Sequence, residues 1–188
     1  MIQFRFNEMK TTQAAARFIR LNGGSINYTK LLKLLYLTDR QALARWERPL
    51  TGDVYVSMRN GPVLSKTYDL IDYPENPEHV SPWYRFILKQ DYDVCLKGDT
   101  GIGELSNREI RLIDEIHETY KSYNVWQMID ICHRDCPEWN NPGDSSYPLP
   151  VEDILMALDK TPEEIELIAD EIAELNYIDE LFLYCETN

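Results

Sequence analysis

The residues best suited to chemistry are two cysteines and a histidine close together in the sequence, Cys132, His133 and Cys136. Thiolate and imidazole groups are zinc ligands, and Cys132 and Cys136, four residues apart, face the same side of a helix. His117 is a candidate for a third or fourth ligand. However, no C-x2-C pair occurs and the remaining cysteines are distant. We therefore predict buried thiols rather than a metal site, and no cofactor.

The same side chains permit a nucleophile, in which Cys132 or Cys136 is activated by His117. A small hydrolase using His133 or a cysteine is thus one alternative. Nothing in the surrounding sequence supports it, because the chain contains no G-x-S-x-G, P-loop, G-x-G-x-x-G or H-E-x-x-H motif. We predict that the protein is not an enzyme.

Acid–base chemistry would need two converging carboxylates, and the sequence offers Asp39, Asp53, Asp69 and Asp72 as candidates. Spacing alone does not bring any two of them together. The chain has 32 acidic residues, so solvated carboxylates are the expectation for each of them.

Aromatic residues and arginine are the types that carry most binding energy at protein interfaces. Twelve tyrosines in a chain without a catalytic signature favour a binding protein. The arm and turn at residues 54–63 would present several of them, with Gly61 and Pro62 fixing its shape; the alternative is that the turn only packs this arm onto the helices. The residues predicted to contact a partner are Trp46, Asp53, Tyr55, Met58, Arg59 and Tyr68.

The charge is large and unevenly distributed. The net charge is −13, which disfavours nucleic-acid binding and with it a transcriptional regulator. Residues 1–50 are net positive, whereas from residue 151 onward Lys160 is the only base against twelve acids. The two regions can attract each other or a charged partner, and each single acid is expected to lie on a solvated helix face; the asymmetry as a whole favours a basic protein partner.

Composition also bears on location. No apolar run approaches the ~20 residues that would span a bilayer. The N-terminal "MIQFRFNEMK" shows no secretory signal, and four cysteines in a chain of this size do not form a disulfide framework. We expect a cytoplasmic protein that does not act at a membrane.

Periodicity predicts a mainly α fold (α+β), a compact helical domain with a small β-hairpin or sheet element. Alternation predicts short strands at 1–7 and 53–58, and strands or extended edges at 83–89 and 91–97; Asn60-Gly61-Pro62 is a turn. Predicted helices follow the caps Asn27, Ser65, Ser106 (a capping box with Glu109), Asn124 and Thr161 (with Glu164).

Three further predictions complete the chain. Residues 73–82 form a proline-rich, mobile loop, and the closing "YIDELFLYC" is a strand. Ile165, Ile168, Ile172 and Leu175 form a narrow seam suited to packing within the chain or between chains. We expect a helical domain at 1–150 and an acidic helical C-terminal extension at 151–188 packed on it.

Three segments in order, "KLLKLLYLTDRQAL", "RPLTGDVYVSMRNGPVLSKTYDLI" and "ICHRDCPEW", resemble the Panacea (SocA-like) domain family. The resemblance covers roughly residues 10–142, so the segment from 151 lies outside it. The shared elements are a Lys-Leu-rich helix ending in Leu-Tyr, a Gly-Pro-Val turn, and a later helix with His followed by Pro and Trp. The matching positions, expected to be structural, are Leu35, Tyr36, Gly61, Pro62, Val63, His133, Pro137 and Trp139.

The resemblance implies a bacterial or phage antitoxin of a toxin–antitoxin pair, which neutralises its cognate toxin by direct protein–protein binding. It brings no catalytic residues and no cofactor. One relative resembles a proteolytic adaptor that delivers its toxin to an AAA+ protease, so an adaptor is the alternative. The identity of the toxin and homo-oligomerisation stay open.

Overall fold

The computed structural model describes residues 1–73 and 81–186, the last four of these by their backbone only. The described part is mainly α-helical with two small sheets, as predicted. The helices are α1 Glu8–Leu21, α2 Tyr28–Trp46, α3 Ser65–Asp72, α4 Pro82–Phe86, α5 Asn107–Tyr120, α6 Val125–Asp135, α7 Val151–Ala157 and α8 Pro162–Glu186. The strands are β1 Ser25–Asn27, β2 Tyr55–Met58, β3 Gly61–Leu64, β4 Ile87–Gln90, β5 Asp93–Leu96 and β6 Tyr147–Pro148.

Helix α2 is the centre of the fold. Every residue from Lys30 to Asp39 is buried, so this helix is enclosed on all sides rather than along one stripe. Helices α1, α5, α6 and α7 pack against it, together with β3. Its N-cap is Asn27, as predicted, whose side chain accepts from the amides of Thr29 and Lys30.

Each sheet has three antiparallel strands, in the orders β1-β5-β4 and β3-β2-β6. In the second sheet β2 and β3 form a hairpin, with Met58 opposite Gly61 and Tyr55 opposite Leu64. The hairpin lies between α2 and α6, because β3 packs on both helices. The predicted strand at 53–58 and the turn after it are therefore confirmed.

The predicted strand at 1–7 is wrong. None of the described strands pairs with this segment, which instead crosses the chain at Gly52 so closely that a Cβ there would clash with the Arg5 carbonyl oxygen. Ile2 is buried and donates its amide to Glu152 at 2.6 Å. Asn7 ends the segment as the N-cap of α1. The apolar alternation reflects burial against the body of the protein rather than sheet pairing.

Two other strand predictions are wrong. "YIDELFLYC" belongs to α8, which runs unbroken because no glycine or proline follows Pro162. The first part of 83–89 is the short helix α4, started by the Ser81 cap and by Pro82 at its first position. Strands were predicted in the rest of 83–97 and are found there as β4 and β5, which pair with each other in antiparallel orientation.

The helix caps at Ser106, Asn124 and Thr161 are confirmed, each with its reciprocal capping-box hydrogen bond. The cap predicted at Ser65 is wrong, because the first amides of α3 donate to the distant Asp53 instead. The loop predicted at 73–82 falls mostly outside the described residues.

The seam of α8 packs within the chain, since Ile168 and Ile172 join the buried core. Two ion pairs also connect this helix region to the end of α2 and the residues after it, Arg48 with Glu171 and Lys160 with Glu47. The division of the chain at residue 150 stays a prediction.

Candidate functional site

The exposed tip of the β2–β3 hairpin is held over α2 by a close backbone approach. Gly61 has φ of 102°, and a Cβ at this position would lie 3.1 Å from Lys33 Nζ and 3.3 Å from Cys132 Cβ. A side chain at Gly61 would therefore strain the backbone and crowd both neighbours. Arg59 and Asn60, which precede it, point into solvent.

Lys33 lies under this tip and is almost fully buried. Its Nζ donates to the Pro62 carbonyl oxygen at 2.8 Å, and within the described residues it forms no ion pair with a carboxylate. Burial lowers the pKa of Lys33 to about 8, partly opposed by the thiols of Cys132 and Cys136. Part of the Lys33 population is thus uncharged near neutral pH.

A ring pair supports the hairpin from the other side. His133 stacks on Trp139 with a centroid distance of 3.9 Å and an interplanar angle of 6°. Trp139 Nε1 donates to the Met58 carbonyl oxygen at 2.8 Å, which fixes the end of β2. Burial lowers the pKa of His133, and a hydrogen bond to the Arg59 backbone partly opposes this shift. The ring pair therefore acts as a brace for the tip.

A groove of about 340 Å³ opens beside the tip. We call it the hairpin groove, lined by Tyr28, Lys33, Met58, Arg59, Val63 and Tyr68 among others. Tyr28 and Tyr68 are half-buried, whereas the Arg59 side chain is 73% exposed and reaches Asp144 at 3.2 Å. This surface pair contributes little to stability, so Arg59 is free to exchange Asp144 for another acid.

A model of the family described as antitoxin SocA-like, Panacea domain, matches residues 31–140, more than half of the chain. The chain belongs to this family of SocA-like antitoxins. No curated protein and no solved structure gives a significant match.

Several of the positions that match the resemblance lie at the hairpin, and the others are buried in or near α2 and α6. Leu35 is fully buried in α2, and Tyr36 donates to Glu138 at 2.5 Å. Pro137 directly follows Cys136, the C-cap of α6. The Gly-Pro-Val turn packs on Lys33 and Cys132, and the His–Trp pair fixes Met58. Elements far apart in the sequence thus form one support for the exposed tip.

Three buried carboxylates anchor the Panacea domain around this support. Asp39 accepts from the amides of Leu50 and Thr51 at 2.8 and 3.0 Å and from Tyr55 Oη at 2.9 Å. Thr51 donates its hydroxyl to Asp39 as well. Burial raises the pKa of Asp39 to about 6, although these hydrogen bonds oppose the shift.

The other two anchors are Asp53 and Glu138. Asp53 accepts from the amides of Lys66 and Thr67, both at 2.9 Å, and so caps α3. Burial raises the pKa of Asp53, and these hydrogen bonds oppose the shift. Glu138 accepts from Arg40 Nε at 2.8 Å as well as from Tyr36.

The six residues predicted to contact a partner lie in three different environments in the structure. Met58, Arg59 and Tyr68 meet in the hairpin groove. Asp53 and Tyr55 are buried, at 4% and 2% exposure, and their polar atoms bond internally, so a surface role for them is wrong. Trp46 lies apart at the end of α2, 4.6 Å from the Arg108 guanidinium carbon. The role of the exposed residues stays a prediction.

Sequence reasoning did not assign Tyr28 and Lys33 to this surface. Tyr28 is the first residue of α2, so it sits at an open helix end rather than in the core. Lys33 has two leucines on either side of it in the sequence. A lysine in the middle of such an apolar helix could have been recognised as a buried cation.

The two cysteines and His117, considered as metal ligands or nucleophiles, are buried in the interior. Cys132 and Cys136 are fully buried and share a hydrogen bond, which with Lys33 lowers the pKa of the Cys132 thiol. His117 is also buried, with Nδ1 3.6 Å from Glu118. Among residues 1–73 and 81–186, no group of three or more His, Cys, Asp or Glu side chains is arranged to hold a metal ion. In the same ranges no helix is long and apolar enough to cross a membrane.

The buried amine of Lys33 is expected to make the free energy of unfolding rise as pH increases above about 8. The folded pKa of Lys33, about 8, is below its ordinary value of 10.5, so the unfolded chain binds more protons between these values. Relative to Lys33→Met, the wild type is expected to gain on the order of 3 kcal/mol of unfolding free energy as pH rises from about 8 to about 10.5. Urea denaturation of both chains across this range measures the difference.

Lys66→Met is the matched control, because Lys66 is an exposed lysine on α3. It controls for the loss of a lysine side chain as such. A difference between wild type and Lys33→Met that does not change with pH would show that the buried environment does not perturb this amine.

Proposed function

We propose that the chain is the antitoxin of a toxin–antitoxin pair and neutralises its cognate toxin in the cytoplasm by direct protein–protein binding. The observation that carries the proposal is a solvent-facing hairpin tip held from below by Gly61, His133 and Trp139, in a chain of the SocA-like antitoxin family.

The hairpin groove has the chemistry of an interface hot spot. Tyrosine, methionine and arginine are enriched at the centres of protein interfaces, and the groove presents Tyr28, Tyr68, Met58 and Arg59 together. The tip is also preorganised, because the Trp139 and Lys33 hydrogen bonds fix its backbone before binding. Preorganisation reduces the entropy lost on association. The toxin would be inhibited sterically, by having its active surface covered.

Growth rescue tests the proposal. The open reading frame next to this gene is induced alone and then together with this chain. We expect the neighbour to arrest growth and the chain to restore it, and the two proteins to purify as a complex. A toxic neighbour that this chain neither rescues nor binds would overturn the proposal.

Rescue alone leaves an AAA+ protease adaptor as the alternative, and the half-life of the toxin separates the two. Steric neutralisation predicts that the toxin persists unchanged in a pulse-chase experiment when the chain is present. A half-life that shortens only in the presence of this chain and an AAA+ protease would instead establish delivery for degradation.

A further inference from the structure

Helix α8 has a second apolar side that the fold leaves uncovered. Its inner side packs into the core through Ile168 and Ile172, and beyond Ile172 no side chain of the helix is buried through residue 182. The outward apolar residues are 45–70% exposed: Leu167, Tyr177, Ile178, Leu181 and Phe182. A helix that is apolar on two sides is expected to be covered on both.

Spacing places three of these residues on one stripe. Leu167 precedes Ile178 by eleven residues and Leu181 by fourteen, which are close to whole numbers of turns at about 3.6 residues per turn. Leu181 follows Ile172 by nine residues, about half a turn around the helix, and so lies opposite the core. We call this stripe, with the flanking Tyr177 and Phe182, the outer face of α8.

The charges along the outer face are all of one sign. Helix α8 carries nine acids and no lysine or arginine from Pro162 to Glu186. Glu174 follows Leu167 by seven residues and so lies on the same stripe, and Asp170 lies beside it. Both are exposed, and neither forms an ion pair with another described residue. Glu171, by contrast, is already paired with Arg48 at 2.7 Å.

We propose that the outer face of α8 docks a basic amphipathic helix of a partner protein. The apolar side of that helix would cover Leu167, Ile178 and Leu181, and its lysines or arginines would pair with Asp170 and Glu174. Helices pack in this manner when apolar ridges interdigitate along aligned axes. The assignment of this helix to the toxin rests on the proposed function, whereas the binding chemistry does not.

The charge of α8 favours a basic helix, rather than a second copy of the chain, as the binding partner of the outer face. Two α8 helices packed face to face would bring eighteen acids together with no compensating base from either helix, nine from each. Like charges at such positions oppose helix pairing. A basic helix relieves the repulsion along α8, and it complements the face in both polarity and charge.

A synthetic peptide of leucine and lysine with helical amphipathic spacing is the direct probe, measured by calorimetry on the full chain. We expect binding by the wild type, and affinity at least about tenfold weaker for Ile178→Ser with Leu181→Ser. Leu88→Ser is the matched control, because Leu88 is a similarly exposed apolar residue on β4. Asp170→Asn with Glu174→Gln should reduce the salt dependence of binding.

Three results would overturn the proposal. The first is equal affinity of the peptide for the wild type and the α8 serine variant. The second is equal affinity for a leucine–lysine peptide of scrambled order. The third is a wild-type dimer in sedimentation that Leu181→Ser dissociates, which would make the face a contact between copies.

Growth rescue keeps the two proposals distinguishable. If the wild type rescues and the α8 serine variant rescues and binds toxin equally well, the assignment to the toxin fails while the antitoxin function stands. If the wild type itself fails to rescue, the antitoxin function fails, and the peptide affinities still decide the chemistry of the outer face.

Discussion

Asp39→Ala is expected to lower the free energy of unfolding by about 3–5 kcal/mol at neutral pH. The carboxylate accepts two backbone amides, from Leu50 and Thr51, and two hydroxyls, from Thr51 and Tyr55. Alanine would leave these buried donors without an acceptor, and each unsatisfied buried donor costs about 1–3 kcal/mol. The loss would loosen the segment that connects α2 to the β2–β3 hairpin.

Urea denaturation followed by circular dichroism measures the change. Asp69→Ala is the matched control, since Asp69 is exposed on α3, and its effect should stay within about 0.5 kcal/mol. A loss below about 1 kcal/mol for Asp39→Ala would mean that water or a rearranged backbone satisfies the donors.

The same pair of chains reports the titration of Asp39. Its folded pKa, raised by burial to about 6, is above its ordinary value of 3.8, so the folded state holds the proton more tightly. Stability from this group is therefore present below about pH 4 and is lost as pH rises through about 6. The advantage of the wild type over Asp39→Ala should narrow by on the order of 3 kcal/mol across that interval.

Arg59→Glu combined with Tyr68→Ala is expected to weaken binding of the cognate toxin by about 100-fold or more. Both side chains line the hairpin groove; Arg59 is exposed and Tyr68 is half-buried. Removing the ring deletes a large apolar contact, and reversing the charge introduces repulsion toward an acid on the partner. The double variant should lose about 1–2 kcal/mol of stability, because Arg59 is exposed whereas Tyr68 is half-buried and packs at the edge of the core.

Arg111→Glu with Tyr123→Ala applies the same chemical changes to exposed residues outside the groove. Calorimetry of the purified pair and growth rescue should show toxin binding close to wild type for this control. If both double variants bind the toxin as the wild type does, the hairpin is scaffold and the toxin contacts another surface.

Much of the helical framework could be predicted from local sequence. Ser106 with Glu109, and Asn124 with Gln127, define the starts of α5 and α6 because their capping bonds join residues three apart. The Asn-Gly-Pro turn likewise indicated the hairpin, since the positive φ of Gly61 is a local requirement. At these positions the signals that depend on sequence neighbours were reliable, whereas the local cap at Ser65 and the alternation at 1–7 were misleading because more distant residues decide both.

The polar interior could not be predicted in this way. Asp39, Asp53 and Glu138 are among 32 acids, and only the tertiary fold distinguishes a buried acceptor from a solvated carboxylate. Asp53, twelve residues before the start of α3, accepts from the first amides of that helix. The sequence had instead indicated the neighbouring Ser65 as the cap. Tyr55 was misplaced on the surface for the same reason, because its hydroxyl finds an acceptor on a different element, at Asp39.

The contrast between the base and the tip of the hairpin has an evolutionary consequence. The contacts that secure it involve the backbone of Met58 and Pro62 and the missing side chain of Gly61, whereas Arg59 and Asn60 project into solvent. Substitutions at Arg59 and Asn60 are therefore expected to change the surface that the hairpin presents while the protein stays folded. Each intermediate sequence in a series of such substitutions is expected to remain folded, so this surface can diverge faster than the fold that supports it.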